Sequence, residues 1–270
     1  GKASCSSACS PACDCGKYVE IWNNVFMEYE KLEDNTFIPL KQKNVDTGMG
    51  LERTVAMLNG FSSVYEIDVF SDCFNLFSQK ELKEPDSEKV IKAKRIIADH
   101  IRTAIFMLGD QKGITPSNVD QGYVLRRLIR RAVRFCRAIE LENDILLDIA
   151  NIYIKNYSDY YSELKENADK IIKELDNEIV KFNKTLSHGL KEFEKVTSYI
   201  QNGVINGKAA FRLYDTFGFP VEITEELAKD KGMIVDIKGF HKAFEQHQKK
   251  SQQGAEQKFK GGLQDDSVMT

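Results

Sequence analysis

The sequence lacks any long apolar run, and this absence excludes a first class of protein. A membrane-spanning helix needs roughly 18–20 consecutive apolar residues, and no stretch of the 270 residues approaches that length. No signal-peptide pattern opens the chain either. We therefore predict a protein that works in the cytoplasm without a membrane.

Internal repeats, paired C-x2-C motifs and an initiating methionine are also absent. Because the first residue is Gly1, we expect the chain to be a piece of a longer protein. Its hydrophobic content of 42% and charged content of 29% are typical of a globular protein and exclude a disordered one. A core of ordinary size is therefore expected.

The six cysteines fall into two groups. Cys73 and Cys136 lie in apolar helical patterns and are predicted to be buried as small hydrophobic residues. The other four have the spacing C-x3-C-x3-C-x-C, which differs from that of common zinc modules; they are Cys5, Cys9, Cys13 and Cys15. Two interpretations stay open, a structural Zn2+ site and an irregular loop of reduced thiols, of which the spacing favours the loop.

The pattern of apolar residues changes along the chain and predicts an α+β fold. Residues 18–43 are rich in aromatic and β-branched residues and predict an antiparallel hairpin that turns at Glu33–Asn35. "NVDTG" could be a further strand, and Trp22 is expected in the core. We expect a first domain over 1–68 with a Cys-rich segment at 1–17, a helical domain over 69–256, and a flexible tail over 257–270.

Capping residues mark several helices of the second domain. One helix is predicted to start at Asp86 or Ser87 and to stop near Gly109, and another to start near Thr224 after a Gly/Pro turn. Apolar or small residues recur at steps of three and four from Leu164 onward, close to an 11-residue period. This pattern predicts a long, nearly straight helix, or a pair of helices, that serves as a packing element.

The segment "RRLIRRAVRFCR" holds six of the ten arginines, within a region of twelve Lys/Arg against six Asp/Glu between residues 86 and 140. At about 100° per residue, the arginines fall on one side of a helix and the apolar residues on the other. Few acids lie nearby in sequence, and the guanidinium fork suits phosphate. The face is therefore predicted to bind a nucleic-acid backbone; alternatively, it is solvated or paired with distant carboxylates. The candidate RNA-binding residues on this face are Arg126, Arg127, Arg130 and Arg134.

The run "VDTGMGLER" combines a carboxylate, two glycines and an arginine where a strand passes into a helix. Gly48 and Gly50 allow close approach of a ligand to the backbone, and a helix starting near Gly50 directs free N–H groups at an anion. Arg53 could add a cation for a phosphate. Asp46 could pair with an ammonium group, or merely cap the turn.

Five stretches together resemble alanyl-tRNA synthetases, a class II family. They are "YVEIWNNVFMEY", "VDTGMGLERTVAML", "RIIADHIRTAIFML", "GYVLRRLIRRAVRF" and "AFRLYDTFGFPVEIT", in the family's order between Lys17 and His247. "GMGLER" is similar to the third signature motif of class II synthetases. The resemblance implies that the first domain is the C-terminal part of the aminoacylation core, followed by a tRNA-recognition domain.

The resemblance implies binding roles for residues of the first domain. In the alanine pocket, Asp46 is expected to hold the amino group, Val25 to line the methyl pocket and Gly48 to leave room for substrate, with Asn23 as a further candidate. In the ATP site, Arg53 is expected on the phosphates, together with Gly50 and the weaker candidate Glu20. Asp46 and Arg53 are thus the predicted catalytic residues, and ATP with Mg2+ the predicted cofactors.

In the helical domain, the resemblance implies contacts with the acceptor stem of tRNA(Ala). Asn118 in "PSN" and Asp215 in "LYDT" match the pair that reads a G·U wobble pair, and the arginine helix would belong to the same surface. On their residue types alone, Asn118 could be an ordinary loop residue and Asp215 a helix cap near Thr216.

Two parts of the family pattern are missing from this sequence. The only Phe–Arg pair is Phe211–Arg212 in the helical domain, so the first two class II motifs have no counterpart. No His-x3-His pair of an editing domain occurs. We expect an alanine–tRNA ligase whose N-terminal core lies outside this chain, the chain alone being inactive; the alternative is a non-catalytic tRNA-binding paralogue.

Overall fold

The structure is a computed structural model that describes residues 3–261, with side chains described up to residue 249. It divides into two compact units, Gly1–Asn75 and Leu76–Thr270. A small antiparallel sheet lies in the first unit and helices dominate the second, so the predicted α+β fold is confirmed.

The first unit contains one long antiparallel hairpin, β1 (Trp22–Lys31) and β2 (Phe37–Met49). The backbone N–H of Leu32 donates to Thr36 O (2.9 Å) and closes the turn, in which Asn35 has a φ of 65°. The predicted hairpin and its turn are confirmed. "NVDTG" is not a separate strand but the end of β2, because no turn interrupts the chain between residues 37 and 49.

Apolar side chains of the hairpin are exposed on both of its faces. Phe26 is 75% exposed and Trp22 58%, and Val25, Tyr29 and Val45 are exposed as well. The prediction that Trp22 lies in the core is therefore wrong for the described residues, because no second layer covers the two-stranded sheet there. An isolated hairpin of this kind is at best marginally stable in water.

After the hairpin the first unit is helical. Gly50 is the N-cap of α1 (Leu51–Leu58), as predicted, and a 3-10 turn at Val64–Glu66 leads into α2 (Asp68–Ser78). The buried residues of this part include Cys73, as predicted from its apolar surroundings.

The second unit is built from eight helices within the described range: α3 (Glu88–Gly109), α4 (Asp120–Ala138), α5 (Asp144–Tyr157), α6 (Ser162–Glu166), α7 (Ala168–Ser198), α8 (Gly207–Phe217), α9 (Val221–Asp230) and α10 (Ile237–Gly261). The Ser87 side chain accepts from Val90 N–H and starts α3, and Gly109 ends it, as predicted. The helix expected near Thr224 begins earlier, at Val221, because Pro220 can occupy its N-cap position.

The apolar faces of α3, α4, α5 and α7 form the core of this unit. The side chains of Ile97, Ile101 and Leu108 on α3 are fully buried, and so are Cys136 on α4 and Phe182 on α7. Burial is also the main cause that raises the pKa of the Cys136 thiol, so this cysteine stays protonated. The predicted long helix is confirmed over the 31 residues of α7, and α6 precedes it as a separate turn.

A pair of two-residue parallel strands was not predicted. In it β3 (Val204–Ile205) pairs with β4 (Ile234–Val235), and each strand passes into a capped helix. Asn206 Oδ1 accepts from Ala209 N–H (2.9 Å) at the start of α8, and Asp236 Oδ1 accepts from Gly239 N–H (2.9 Å) in the first turn of α10. The strand pair thereby brings the starts of α8 and α10 together.

None of the helices over the described residues is both long and apolar enough to cross a membrane. Of the predicted tail, residues 257–261 belong to α10, and the others lie outside the described residues.

Gly207 provides a test of the packing between α8 and α10. A Cβ atom at this position would collide with the backbone of Gly239 and Phe240, so the two helix starts would have to separate. We expect Gly207→Ala to lower the free energy of unfolding by about 1–3 kcal/mol in urea titrations followed by circular dichroism. The neighbouring, exposed Lys208→Ala is the matched control and should change it by less than about 0.5 kcal/mol. Equal values for the two variants would contradict the close approach.

Candidate functional site

The hairpin register brings the predicted alanine-binding residues onto one face. Val25 lies directly opposite Asp46, and Asn23 directly opposite Gly48. Because side chains alternate between the two faces of a strand and opposed residues share a face, these four positions form one continuous patch. Asp46 thus stands beside Val25, a carboxylate next to a small apolar side chain.

The opposite face of the hairpin is held by a different set of side chains. Trp22 Nε1 donates to Thr47 Oγ1, and Thr47 Oγ1 donates in turn to Asn24 Oδ1 (2.9 Å). These contacts join β1 to β2 beneath the patch. Because side chains alternate between the two faces of a strand, these supporting side chains lie on the face opposite the patch.

Arg53 links the start of α1 to the segment before β1. Its Nη1 donates to Glu20 O (3.0 Å), and Gly50 N–H donates to Ile21 O (3.0 Å). Glu20 in turn accepts from Asn23 Nδ2 through its carboxylate (3.4 Å). The predicted ATP-site residues Glu20, Gly50 and Arg53 therefore meet at one end of the hairpin, next to Asn23.

The two glycines leave different kinds of space. At Gly48 a Cβ atom would have no neighbour within 4 Å, so the volume above the patch is open among the described residues. At Gly50 a Cβ atom would lie 3.2 Å from Cδ of Arg53. Neither glycine has a positive φ, so at Gly50 the close approach of the Arg53 side chain is the physical reason for glycine.

In the second unit, the arginines of α4 are paired with carboxylates from distant helices. Arg130 Nε donates to Glu178 Oε1 on α7 (2.6 Å), Arg127 Nη1 to Glu222 Oε1 on α9 (2.7 Å), and Arg134 to Glu226 Oε2 (2.7 Å) and Asp230 Oδ2 (3.1 Å) on α9. Three helices, α4, α7 and α9, are thereby tied together by ion pairs. We call this set of contacts the arginine clamp.

The clamp corrects the prediction of an open phosphate-binding face. Arg130 is only 6% exposed and Arg134 only 8%, and burial is the main cause that lowers the pKa of the Arg130 guanidinium, against the opposing effect of Glu178. Few acids lie near these arginines in sequence, but Glu178 and Glu226 reach them through the fold. Arg130 and Arg134 are therefore paired with distant carboxylates, which was the alternative interpretation of this face.

Gly218 shows how closely the clamp is packed. It ends α8 with a φ of 67°, a conformation that favours glycine. Its carbonyl accepts from Arg130 Nη1, and a Cβ atom on Gly218 would collide with that same nitrogen. Arg130 also lies over the ring of Phe182, with Cζ 5.0 Å from its centroid.

Asn118 and Asp215 are both exposed, and one of them lines a groove. The groove has a volume of about 240 Å3 and a largely aromatic lining, in which Asn118 and Glu222 supply polar groups. Asp215 is not part of the lining but follows Tyr214, which is; its Oδ1 lies 3.7 Å from Nε2 of His247. Asn118 accepts from Arg126 Nη1, and Arg126 Nε lies 3.5 Å from Oε1 of Glu178 in the clamp.

Sequence reasoning missed the aromatic side chains of this groove: Tyr123, Tyr214, Phe240 and Phe244. They come from α4, α8 and α10, so no single stretch of sequence groups them. Tyr123 donates to Glu222 Oε2 (2.9 Å), and burial, followed by the charge of Glu222, raises the pKa of this tyrosine. It therefore acts as a hydrogen-bond donor in the groove wall.

The four N-terminal cysteines come together in a cluster that could bind a metal ion. Their Sγ atoms all lie within 4.8 Å of one another. The backbone N–H of Lys17 is the main cause that lowers the pKa of the Cys15 thiol to about 7. This cluster is the one such group of His, Cys, Asp and Glu side chains within the described residues.

The chain belongs to a family of aminoacyl-tRNA synthetases: residues 3–269 match the family described as tRNA synthetases class II (A). Among curated relatives, the alanine–tRNA ligase of Treponema denticola is 50% identical over 274 residues, which cover 100% of this chain and 46% of the relative. That of Borreliella afzelii is 47% identical, covering 98% and 45%. That of Carboxydothermus hydrogenoformans is 40% identical, covering 93% and 29%.

These similarities confirm the family resemblance that the five motifs predicted. The chain spans less than half the length of each of these relatives.

The contribution of the arginine clamp to stability can be tested with a single substitution. In Glu178→Gln the shape is kept but the buried guanidinium of Arg130 loses its counter-charge, so we expect the free energy of unfolding to fall by about 3 kcal/mol. The exposed Asp176→Asn on the same helix is the matched control. Chemical denaturation followed by circular dichroism measures both, and a loss below about 0.5 kcal/mol for Glu178→Gln would show that the clamp does not stabilise this unit.

Proposed function

We propose that the chain is part of an alanine–tRNA ligase, with the back of the alanine-activating pocket in its first unit and acceptor-stem recognition in its second. The observation that carries the proposal is the hairpin register, which sets Asp46 opposite Val25 and Gly48 opposite Asn23, next to Arg53 at the start of α1. The identity to alanine–tRNA ligases supports it.

The pocket chemistry follows from these side chains. The Asp46 carboxylate pairs with the ammonium group of alanine, and Val25 beside it packs against the methyl group, leaving little room for a larger side chain. The open space above Gly48 takes the substrate backbone. Charged hydrogen bonds of this kind contribute about 1.5–3 kcal/mol each.

ATP lies toward Arg53 and the N-terminus of α1. The free N–H groups of the first helical turn and the guanidinium group both favour phosphate oxygens. Arg53 is already oriented by its bond to Glu20 O, so part of the cost of ordering its side chain is met before ATP binds.

The reaction then needs no covalent enzyme nucleophile. A carboxylate oxygen of alanine attacks the α-phosphorus of ATP, the bond to the β-phosphate bridge breaks, and pyrophosphate leaves with alanyl-adenylate remaining. A hydroxyl of the terminal tRNA ribose next attacks the alanyl carbonyl, and AMP leaves as the hydroxyl loses its proton. Asp46 and Arg53 contribute by positioning and charge stabilisation.

Mg2+ would supply further neutralisation of the phosphates. Among the described residues, no group of three or more carboxylates gathers near the hairpin. We therefore expect the ion to arrive with ATP, and we assign it no ligand from this chain.

For tRNA, the exposed Asn118 and Asp215 are proposed to read the G·U pair of the acceptor stem. Asn118 offers a carbonyl and an amino group, and Asp215 offers acceptors for an exocyclic amino group. Arg126 and Arg127 remain candidates for supporting contacts with the RNA. Arg126 would act through Asn118, to which it donates a hydrogen bond. Arg130 and Arg134 act instead through the clamp.

The exposed hairpin supports a further partner, the N-terminal part of the same catalytic core. Both faces carry apolar side chains, and the strand edges present unpaired backbone groups. We propose that strands outside this chain complete the sheet and carry the remaining ATP contacts. The alternative, a tRNA-binding paralogue without catalysis, predicts binding of the stem but no activation of alanine.

The first test measures alanine-dependent ATP–pyrophosphate exchange by the full-length protein. Without the Asp46 charge the ammonium group loses its partner, so Asp46→Asn should lower kcat/KM for alanine about 10- to 100-fold. The matched control is Asp34→Asn in the hairpin turn. Among the described residues, the side chain of Asp34 accepts hydrogen bonds from Thr36. Exchange should be absent from the 270-residue chain alone.

The outcomes of this experiment separate the two functions. Exchange that is insensitive to Asp46→Asn would contradict the pocket, and a full-length protein with no exchange at all would favour the non-catalytic paralogue. Clear exchange by the chain alone would contradict the proposal that part of the core lies elsewhere.

The second test compares two acceptor-stem hairpins of tRNA(Ala), one with the G·U pair and one with G·C in its place. Each lost base contact is worth about 1–3 kcal/mol, so Asn118→Ala and Asp215→Ala should each reduce the preference for G·U about tenfold in fluorescence-anisotropy titrations. The exposed Asp159→Asn serves as control. An unchanged preference in both variants would remove these residues from the recognition site.

A further inference from the structure

We propose that Cys5, Cys9, Cys13 and Cys15 bind one Zn2+ ion, and that this ion is the structural centre of segment 3–17. The proposal goes beyond the ligase function and does not depend on it, because it concerns how this segment holds its shape.

The arrangement of the sulfur atoms fits a tetrahedral site. Sγ of Cys5 lies 3.2 Å from Sγ of Cys13, Sγ of Cys9 lies 3.7 Å from Sγ of Cys15, and all four lie within 4.8 Å of one another. With zinc–sulfur bonds of about 2.3 Å, the sulfurs of a tetrahedral site stand about 3.8 Å apart. Disulfide bonds would need about 2.05 Å, and all four thiols are free.

Two successive turns explain how an unusual spacing produces this cluster. The N–H of Cys9 donates to Ser6 O (3.2 Å), and the N–H of Cys13 donates to Ser10 O (2.9 Å). Each turn folds the chain back, so that cysteines four positions apart point to one centre. Lys17 Nζ donates to Ser4 Oγ (2.6 Å) and brings the two ends of the segment together.

The composition of the segment provides no hydrophobic core to stabilise it. Residues 3–17 contain no Val, Ile, Leu, Met or aromatic residue, and their side chains are exposed or only partly buried. A short segment without a hydrophobic core needs a covalent or metal cross-link to keep one conformation. Metal binding can supply that free energy directly.

The ligand set selects the metal and its role. Four thiolates without histidine or carboxylate are a soft donor set that suits Zn2+. Because all four tetrahedral positions would be filled by protein, no position remains for water or substrate, and the ion is structural. The segment ends shortly before Glu20, whose carbonyl accepts from Arg53, so the ion would order the chain that leads into the candidate ATP site.

The test begins with the 270-residue chain, prepared under reducing conditions with Zn2+ and freed of excess metal. Elemental analysis should find about one zinc per chain. Cys13→Ser/Cys15→Ser should lower the bound zinc at least tenfold, whereas Ser7→Ala in the same segment should leave it unchanged. Circular dichroism of the helical unit checks that the variants are folded.

Cobalt provides a second readout on the unmodified chain. Co2+ should give an intense thiolate-to-cobalt charge-transfer band and the visible bands of tetrahedral coordination, and one equivalent of Zn2+ should abolish both. Zinc well below one per chain, zinc retained in the double variant, or a mass lower by the four hydrogens of two disulfides would each overturn the proposal.

Discussion

The ion pairs between α4 and its neighbours are the interaction on which the second unit depends. Arg130 and Glu178 are both buried, and each guanidinium group around them is matched by a carboxylate from α7 or α9. Buried charges are costly unless paired, so these contacts fix which faces of the helices meet. They also place Asn118 and Glu222 along one groove, which gives the proposed recognition surface a rigid support.

The first unit differs from the second in that its candidate site is exposed. The site lies on a hairpin that is open on both faces. Its cross-strand hydrogen bonds set the register and therefore the neighbours of Asp46. Its exposed apolar side chains call for a covering layer that the described residues do not contain. The hairpin register thus positions the proposed alanine-binding residues locally, and we propose that strands outside this chain cover them.

Several elements and candidate residues could be predicted from local sequence patterns. The hairpin, the start of α1 at Gly50, the Ser87 cap and the length of α7 all follow from residues close together in the chain. The patch of Asn23, Val25, Asp46 and Gly48 could be named from motifs, and the strand register then placed these residues on one face. Whether they bind alanine remains a proposal.

The sequence by itself determined the hairpin, several helices, the family motifs and the polar and apolar faces of α4, because these depend on spacing of a few residues. Only the tertiary structure decided that Arg130 faces Glu178 rather than RNA, that Trp22 is exposed, and that four irregularly spaced cysteines form one cluster. The physical reason is distance along the chain. Pairing of charges, burial and metal-ligand geometry depend on partners that folding brings together, and local spacing does not specify them.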